Sequence, residues 1–143
     1  MIAIASSPVI LMLEHDADDR FITSHIFEEN KYKAHLEFVN NREGIFSFLD
    51  KCTVQRLPLP ALILINLHTA PLDGREILKQ LKSNPGYKHI PVVILSGSKD
   101  AAIARECYAL GASSFIQKPS KLTETNEKVT NFFRYWFQTV ELS

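Results

Sequence analysis

Short apolar runs alternate with helical segments along most of the chain, and this alternation limits the folds open to it. The runs are too short for buried helices and are typical of strands covered on both faces. Parallel strands need crossover connections of helix length, so the pattern predicts an α/β fold with a parallel sheet between layers of helices. The predicted strands are residues 9–13, 36–39, 62–65, 91–95 and 115–116.

The segments between these strands carry apolar residues at helical spacing. Asp18 or Asp19 is placed to cap the first helix, which should end near Asn30, and Gly111 is placed to end the fourth. The predicted helices after the first are residues 44–51, 74–83, 100–110 and 123 to about 140. We therefore expect a single domain over residues 1–143, with five strands, five helices and a core from about residue 9 to residue 140.

Charge and composition argue against several classes of protein. Lys plus Arg and Asp plus Glu both number 16, so the net charge of +0 gives no field that would favour nucleic acid or an anionic membrane. No apolar run approaches the roughly 18 residues of a membrane span, and the apolar N-terminus lacks the basic region of a signal peptide. Cys52 and Cys107 show no zinc-site spacing and suit a reducing compartment. We expect a cytoplasmic protein that binds neither nucleic acid nor membrane.

Polar side chains follow four of the predicted strands. Glu14 follows the first, Asn66 the third and Ser96 the fourth, and Lys118 comes just after the fifth. A single polar residue at a strand end is most simply a surface residue. The carboxyl ends of parallel strands meet at one edge of the sheet, however, where ligands bind in such folds. Together the four residues predict a site with an acid, an amide, a hydroxyl and a cation.

Several segments carrying these residues resemble the receiver domains of bacterial response regulators, and within that family the single-domain receivers. The matching segments read VILMLEHDADDR, ALILINLHTAPLDG, IPVVILSGS and YALGASSFIQKP. The resemblance runs from about Val9 to the last helix, and the combination is far more specific than any one segment. It implies a flavodoxin-like, doubly wound sheet with strand order 2-1-3-4-5. It also implies a non-enzymatic signalling module of two-component phosphorelay systems, whose partner is a histidine kinase or another signalling protein.

Four residues match the receiver pattern by position. The resemblance implies that Glu14 is the first acid of the family's acidic pair and that Ser96 contacts the phosphoryl group. Lys118 matches the lysine that pairs with the phosphoacceptor, and here it is available to pair with Glu14. Phe115 falls at the aromatic switch position. In receivers the surface of the last helix often mediates dimerisation, so a homodimer through the C-terminal helix region is a further expectation.

Two positions depart from the receiver pattern. Asn66 stands at the phosphoacceptor aspartate, and His15 stands where the second acid is expected. An amide oxygen is much less nucleophilic than a carboxylate oxygen, so we expect that Asn66 is not phosphorylated. Mg²⁺, the family's cofactor, prefers charged oxygen ligands. We therefore expect no cofactor, with Mg²⁺ absent or bound at least about a thousandfold more weakly than in an intact site.

The imidazoles near this edge allow a second interpretation. Glu14, His15 and His68 are weak candidates for a site holding a softer ion such as Zn²⁺ or Ni²⁺. The simpler interpretation of His15 is a partly exposed loop residue that is hydrogen-bonded to Asp16 or to water. The aspartates of the EHDADD segment are likewise best explained by helix capping in a solvated turn.

Three functional hypotheses follow. The first is a receiver-like protein, a pseudo-receiver, that acts through protein–protein interaction without phosphorylation at Asn66. The second is an ordinary phosphoacceptor response regulator seen in an Asp-to-Asn form, although the change at His15 favours natural loss. The third is a flavodoxin-like enzyme. It is disfavoured because the acidic EHDADD segment would repel a phosphate after the first strand.

Overall fold

The chain forms alternating strands and helices in the computed structural model, which describes residues 8–31, 34–67, 74–97 and 100–117, with residues 131, 134 and 135. The predicted last helix, from residue 123 to about 140, lies outside these ranges apart from those three residues. The strands are β1 (Val9–Leu13), β2 (His35–Val39), β3 (Leu62–Asn66), β4 (Val92–Ser96) and β5 (Ser114–Gln117). The helices are α1 (Ala17–Asn30), α2 (Arg42–Val54), α3 (Gly74–Ser83) and α4 (Ala101–Ala109).

The five strands form one sheet in the order β2-β1-β3-β4-β5, and every neighbouring pair is parallel. This arrangement confirms the predicted α/β class and the predicted strand order. Leu13 at the end of β1 lies opposite Ile65 of β3, and Asn66 lies opposite Leu95 of β4. The carboxyl ends of the three central strands therefore reach the same edge of the sheet.

Apolar side chains cover both faces of the sheet. Leu11 and Ile63 belong to a buried cluster that includes residues of α2, α3 and α4, whereas Ile10 and Leu64 belong to a second cluster with residues of α1. Successive residues of a strand point to opposite faces, so an unbroken apolar run is what a doubly covered strand requires. β3 shows this most clearly, because all five of its residues are buried.

Helix α1 begins earlier than the sequence predicts. The predicted cap, Asp18 or Asp19, is wrong, because the Asp16 side chain caps α1 and accepts a hydrogen bond from the Asp19 backbone N at 3.0 Å. Asp18 and Asp19 lie in the first turn instead, where negative charge is favourable beside the helix dipole. Helix α1 therefore begins only a few residues after the end of β1.

Helix α2 is longer at both ends than the predicted residues 44–51. Its N-cap is Asn41, whose side chain accepts a hydrogen bond from the Gly44 backbone N at 2.8 Å, and the helix continues to Val54. An asparagine cap satisfies a backbone N–H that the first turn would otherwise leave without a partner. The predicted end of α4 is confirmed, since Gly111 follows that helix with a left-handed φ of 106°.

The Tyr87 side chain joins the segment after α3 to α2, at the end of the sheet opposite the polar strand ends. Its hydroxyl donates to Asp50 Oδ1 at 2.8 Å and lies 3.4 Å from Thr53 Oγ1. The Thr53 hydrogen bond lowers the pKa of Tyr87, but burial and the hydrogen bond and charge of Asp50 outweigh it, so the pKa lies above its ordinary value of 10.0.

A pH dependence follows from this raised pKa. Because the folded pKa exceeds the unfolded one, the contribution of Tyr87 to stability is fully present below pH 10.0 and declines as the pH rises through the folded pKa. We expect Tyr87→Phe to lower the free energy of unfolding by about 1 kcal/mol at neutral pH, with the deficit shrinking at higher pH. Urea unfolding across this range checks it, with Asp50→Asn as a matched variant that keeps an acceptor without the charge. A deficit that stays constant into strongly alkaline pH would contradict the assignment.

Candidate functional site

Glu14 places a carboxylate inside the sheet edge. Its backbone N donates to Val39 O at 3.1 Å, which continues the β1–β2 ladder by one residue and holds the side chain inward, with 1% of the residue exposed. One carboxylate oxygen, Oε1, accepts a hydrogen bond from the Asp16 backbone N at 3.0 Å. A buried carboxylate needs such donors, because burial without them costs several kcal/mol.

Asn66 supplies the second donor to this carboxylate. It is the last residue of β3, is 3% exposed, and donates from Nδ2 to Glu14 Oε2. An ionised carboxylate can only accept hydrogen bonds, so the NH₂ of the amide must face Glu14 and the amide oxygen must face away. The structure thus brings the predicted acid and the predicted amide into direct contact.

His15 lies at the outer side of the same pocket. Its side chain is 45% exposed, and Nδ1 is 3.9 Å from Glu14 Oε1. This separation is too long for a hydrogen bond but is an ion-pair distance when the imidazole is protonated. The geometry agrees with a partly exposed loop residue. The softer-metal hypothesis also needs His68, which lies outside the described residues. Among the residues that the structure describes, no group of three or more His, Cys, Asp or Glu side chains could hold a metal ion.

The remaining predicted site residues lie along β4 and β5. Ser96 is the last residue of β4, is buried, and directly follows Leu95, the partner of Asn66 in the sheet. Phe115 is on β5, opposite Ile94 of β4, and its half-buried side chain packs against the core. Its backbone N donates to the Tyr108 hydroxyl at 3.0 Å. Lys118 lies outside the residues that the structure describes, and so does the predicted pair of Lys118 with Glu14.

Arg20 is a residue of this edge that sequence reasoning missed. It lies in the first turns of α1, donates from Nε to the backbone oxygen of Glu14, and donates from Nη2 to Asn40 Oδ1 just after β2. Its guanidinium also lies 5.2 Å from the ring centroid of Phe38, within range of a cation–π contact. No periodic pattern predicts that an arginine of α1 contacts the end of the preceding strand. The only sequence signal is a positive charge next to the acidic EHDADD segment.

Comparison with known proteins identifies the family. Residues 10–130 match the response regulator receiver domain, which covers most of the chain. The chain belongs to the response regulator receiver domain family. Receiver domains are generally non-enzymatic modules of two-component signalling that partner histidine kinases. Within the described part of the chain, no helix has the length and apolar character that a membrane crossing requires.

Several relatives resemble this receiver over nearly their whole length. Response regulator Rcp1 of Synechocystis sp. is 28% identical over 135 residues, which cover 94% of this chain and 92% of Rcp1. The Mn²⁺-bound structure of Rcp1 superposes with a TM-score of 0.85 and covers 95% of this chain and 99% of that one. The phosphorylated cyanobacterial phytochrome response regulator RcpA, at 26% identity, has a TM-score of 0.84 and covers 94% and 97%. The relatives are therefore single receivers of similar size, and the Rcp1 structure contains Mn²⁺ whereas RcpA is phosphorylated.

The donor set of this receiver does not fit the divalent metal that the family binds. Mg²⁺ requires several oxygen ligands in near-octahedral geometry and favours carboxylates. At the positions that the resemblance to receivers assigns to the metal ligands, the chain offers one carboxylate, Glu14, whose two oxygens already accept hydrogen bonds, and an amide, Asn66, that donates to it. The third position, His15, is an imidazole. A hard dication would have to displace the Asn66 donor before it could reach the carboxylate.

Proposed function

We propose that this receiver signals by binding a partner protein and is not phosphorylated at Asn66, so that it is a pseudo-receiver made of a single domain over residues 1–143. The observation that carries the proposal is the hydrogen bond from Asn66 Nδ2 to the buried Glu14 carboxylate. At the position of the family's phosphoacceptor the chain has an amide that acts as a hydrogen-bond donor toward the acidic pocket.

The chemistry of phosphoryl transfer supports this proposal. An acyl phosphate forms by attack of a carboxylate oxygen, with metal ions neutralising the charge that develops on the transferred oxygens. The Asn66 oxygen is a weak nucleophile, and its nitrogen is engaged with Glu14. With the nucleophile lost and the metal ligands altered at two positions, covalent switching lacks both of its requirements.

Partner binding is the role that remains for such a domain. The described residues form the five-stranded sheet of a receiver, with Ser96 buried and Phe115 packed against the core, and this supports a receiver surface that is still available to other proteins. The near full-length similarity to the response regulator Rcp1 and to the phytochrome response regulator RcpA supports a histidine kinase, or another signalling protein, as the partner. A homodimer through the C-terminal helix region remains part of the proposal.

The test is a phosphorylation assay. Purified protein is incubated with acetyl phosphate and Mg²⁺, and with beryllofluoride, and the intact mass and the base lability of any adduct are measured. We expect no adduct on the unchanged protein, a slow reaction for Asn66→Asp, and a faster one for Asn66→Asp combined with His15→Asp, because the double variant regains the missing carboxylates. A base-labile phosphoryl group on residue 66 of the unchanged protein would refute the proposal.

One observation favours the second hypothesis, an ordinary phosphoacceptor response regulator: a serine, Ser96, lies buried at the end of β4. In the family this hydroxyl contacts the phosphoryl group, and its survival suits a protein seen in an Asp-to-Asn form. The same assay separates the two readings. Asn66→Asp alone would then react as quickly as an intact receiver, with His15 in place, whereas the pseudo-receiver proposal requires the second substitution for full reactivity.

A further inference from the structure

The buried Glu14 carboxylate accepts hydrogen bonds from two different parts of the fold. Oε1 accepts from the backbone N of Asp16, in the turn between β1 and α1, and Oε2 accepts from Asn66 at the end of β3. The side chain of Glu14 therefore links the β1–α1 turn to the neighbouring strand. In a receiver with three carboxylates, these groups would repel one another, and a dication bound among them would form such a link.

We propose that the Asn66 carboxamide is a built-in substitute for the divalent cation, and that it fixes the β1–α1 turn to the end of β3 without any bound ion. The inference rests on the proposed function, in which residue 66 is not a phosphoacceptor, and gives Asn66 a positive role as a positioning residue. The amide is neutral, so it relieves the repulsion that an aspartate would create. Its N–H also supplies the donor that the buried Glu14 carboxylate requires.

Arg20 completes the same arrangement on the other side of Glu14. Its guanidinium binds the Glu14 backbone oxygen and the Asn40 side chain, and thereby joins α1 to the ends of β1 and β2. With the Asn66–Glu14 bond, the ends of β2, β1 and β3 are all connected by groups of the chain itself. The shape of this edge is then independent of metal, which suits a receiver that presents one constant surface to its partner.

The substitution Asn66→Asp tests this role because it exchanges the donor for a second buried carboxylate. Thermal unfolding is followed in excess EDTA and in saturating Mg²⁺ or Mn²⁺, for the unchanged protein and the variant. We expect the melting temperature of the unchanged protein to be the same in both conditions. We expect Asn66→Asp to melt roughly 10 °C lower in EDTA and to recover most of that loss with the dication.

Asn84→Asp is the matched control. The Asn84 side chain accepts a hydrogen bond from the Gly86 backbone N at 2.8 Å, at the end of the sheet opposite Asn66. An aspartate accepts that bond equally well, so this variant adds the same charge without placing it beside a buried carboxylate. We expect it to melt close to the unchanged protein and to show no response to the dication.

A second measurement needs no variant. Amide hydrogen exchange of residues 14–16 in the unchanged protein should be equally slow in EDTA and in Mg²⁺, because the chain itself holds the turn. Slower exchange with Mg²⁺, or an Asn66→Asp variant as stable in EDTA as the unchanged protein, would overturn the inference. A phosphoryl adduct on unchanged Asn66 would instead remove the proposed function, and the melting and exchange results would still decide what holds the turn.

Discussion

Replacement of Glu14 by alanine is expected to lower the free energy of unfolding by about 3 kcal/mol. The carboxylate accepts hydrogen bonds from Asp16 N and from Asn66 Nδ2, and alanine removes both acceptors while leaving the Asn66 amide buried. The side chain is also almost fully buried, so its truncation opens a cavity at the carboxyl end of β1. Lost hydrogen bonds and lost packing act in the same direction.

Urea unfolding of the two proteins measures this loss. The control is Glu29→Ala on α1, where the side chain is 68% exposed and pairs with His25 at 3.6 Å. Exposed ion pairs of this kind contribute little, so we expect the control to change stability by less than about 0.5 kcal/mol. A Glu14→Ala loss as small as that of the control would show that the pocket does not depend on its carboxylate.

The strands could be predicted because burial on both faces leaves a strong trace in the sequence. β1 and β3 are almost entirely apolar, and each is bounded by polar or proline-containing segments. Burial of this kind admits few alternatives for runs of five residues. The order of the strands is a different matter, because it depends on which crossovers pack together, and here it followed from the resemblance to receivers and not from periodicity.

The start of α1 shows why local signals do not fix helix boundaries. The EHDADD segment offers three aspartates within four residues, and each has the side chain of a good cap. The structure selects Asp16, whose backbone N is held by Glu14 Oε1 while its side chain accepts from Asp19 N. The choice is made by a contact with the buried carboxylate, which capping preferences alone do not contain.

Part of the candidate site could likewise be predicted from the sequence, and part could not. That polar residues at parallel strand ends meet could be predicted, and Glu14 and Asn66 do lie in contact. The hydrogen bond from the Asp16 backbone N to Glu14 was not predicted, and the predicted pair of Lys118 with Glu14 stays a prediction because Lys118 lies outside the described residues. Which donor reaches a buried carboxylate depends on side-chain direction and register, and neither can be read from spacing along the chain.

Replacement of Ile65 by alanine is expected to cost about 4 kcal/mol of stability, the largest effect that we expect of a single truncation near the site. Ile65 is fully buried and lies opposite Leu13 on β1 and Ile94 on β4. The packing around it is tight, since a Cβ added to Gly74 would lie 2.9 Å from Ile65 Cγ2. The neighbouring strands β1 and β4 are held rigidly in the sheet, so they cannot readily move in to fill the cavity.

Urea unfolding again supplies the measurement, with Val54→Ala as the control. Val54 is 82% exposed at the end of α2, so its truncation removes little buried area and should change stability by less than about 0.5 kcal/mol. A loss below about 2 kcal/mol for Ile65→Ala would mean that α3 moves in to fill the space. Since α3 begins at Gly74, against Ile65, such movement would be felt at the end of β3, where Asn66 holds Glu14.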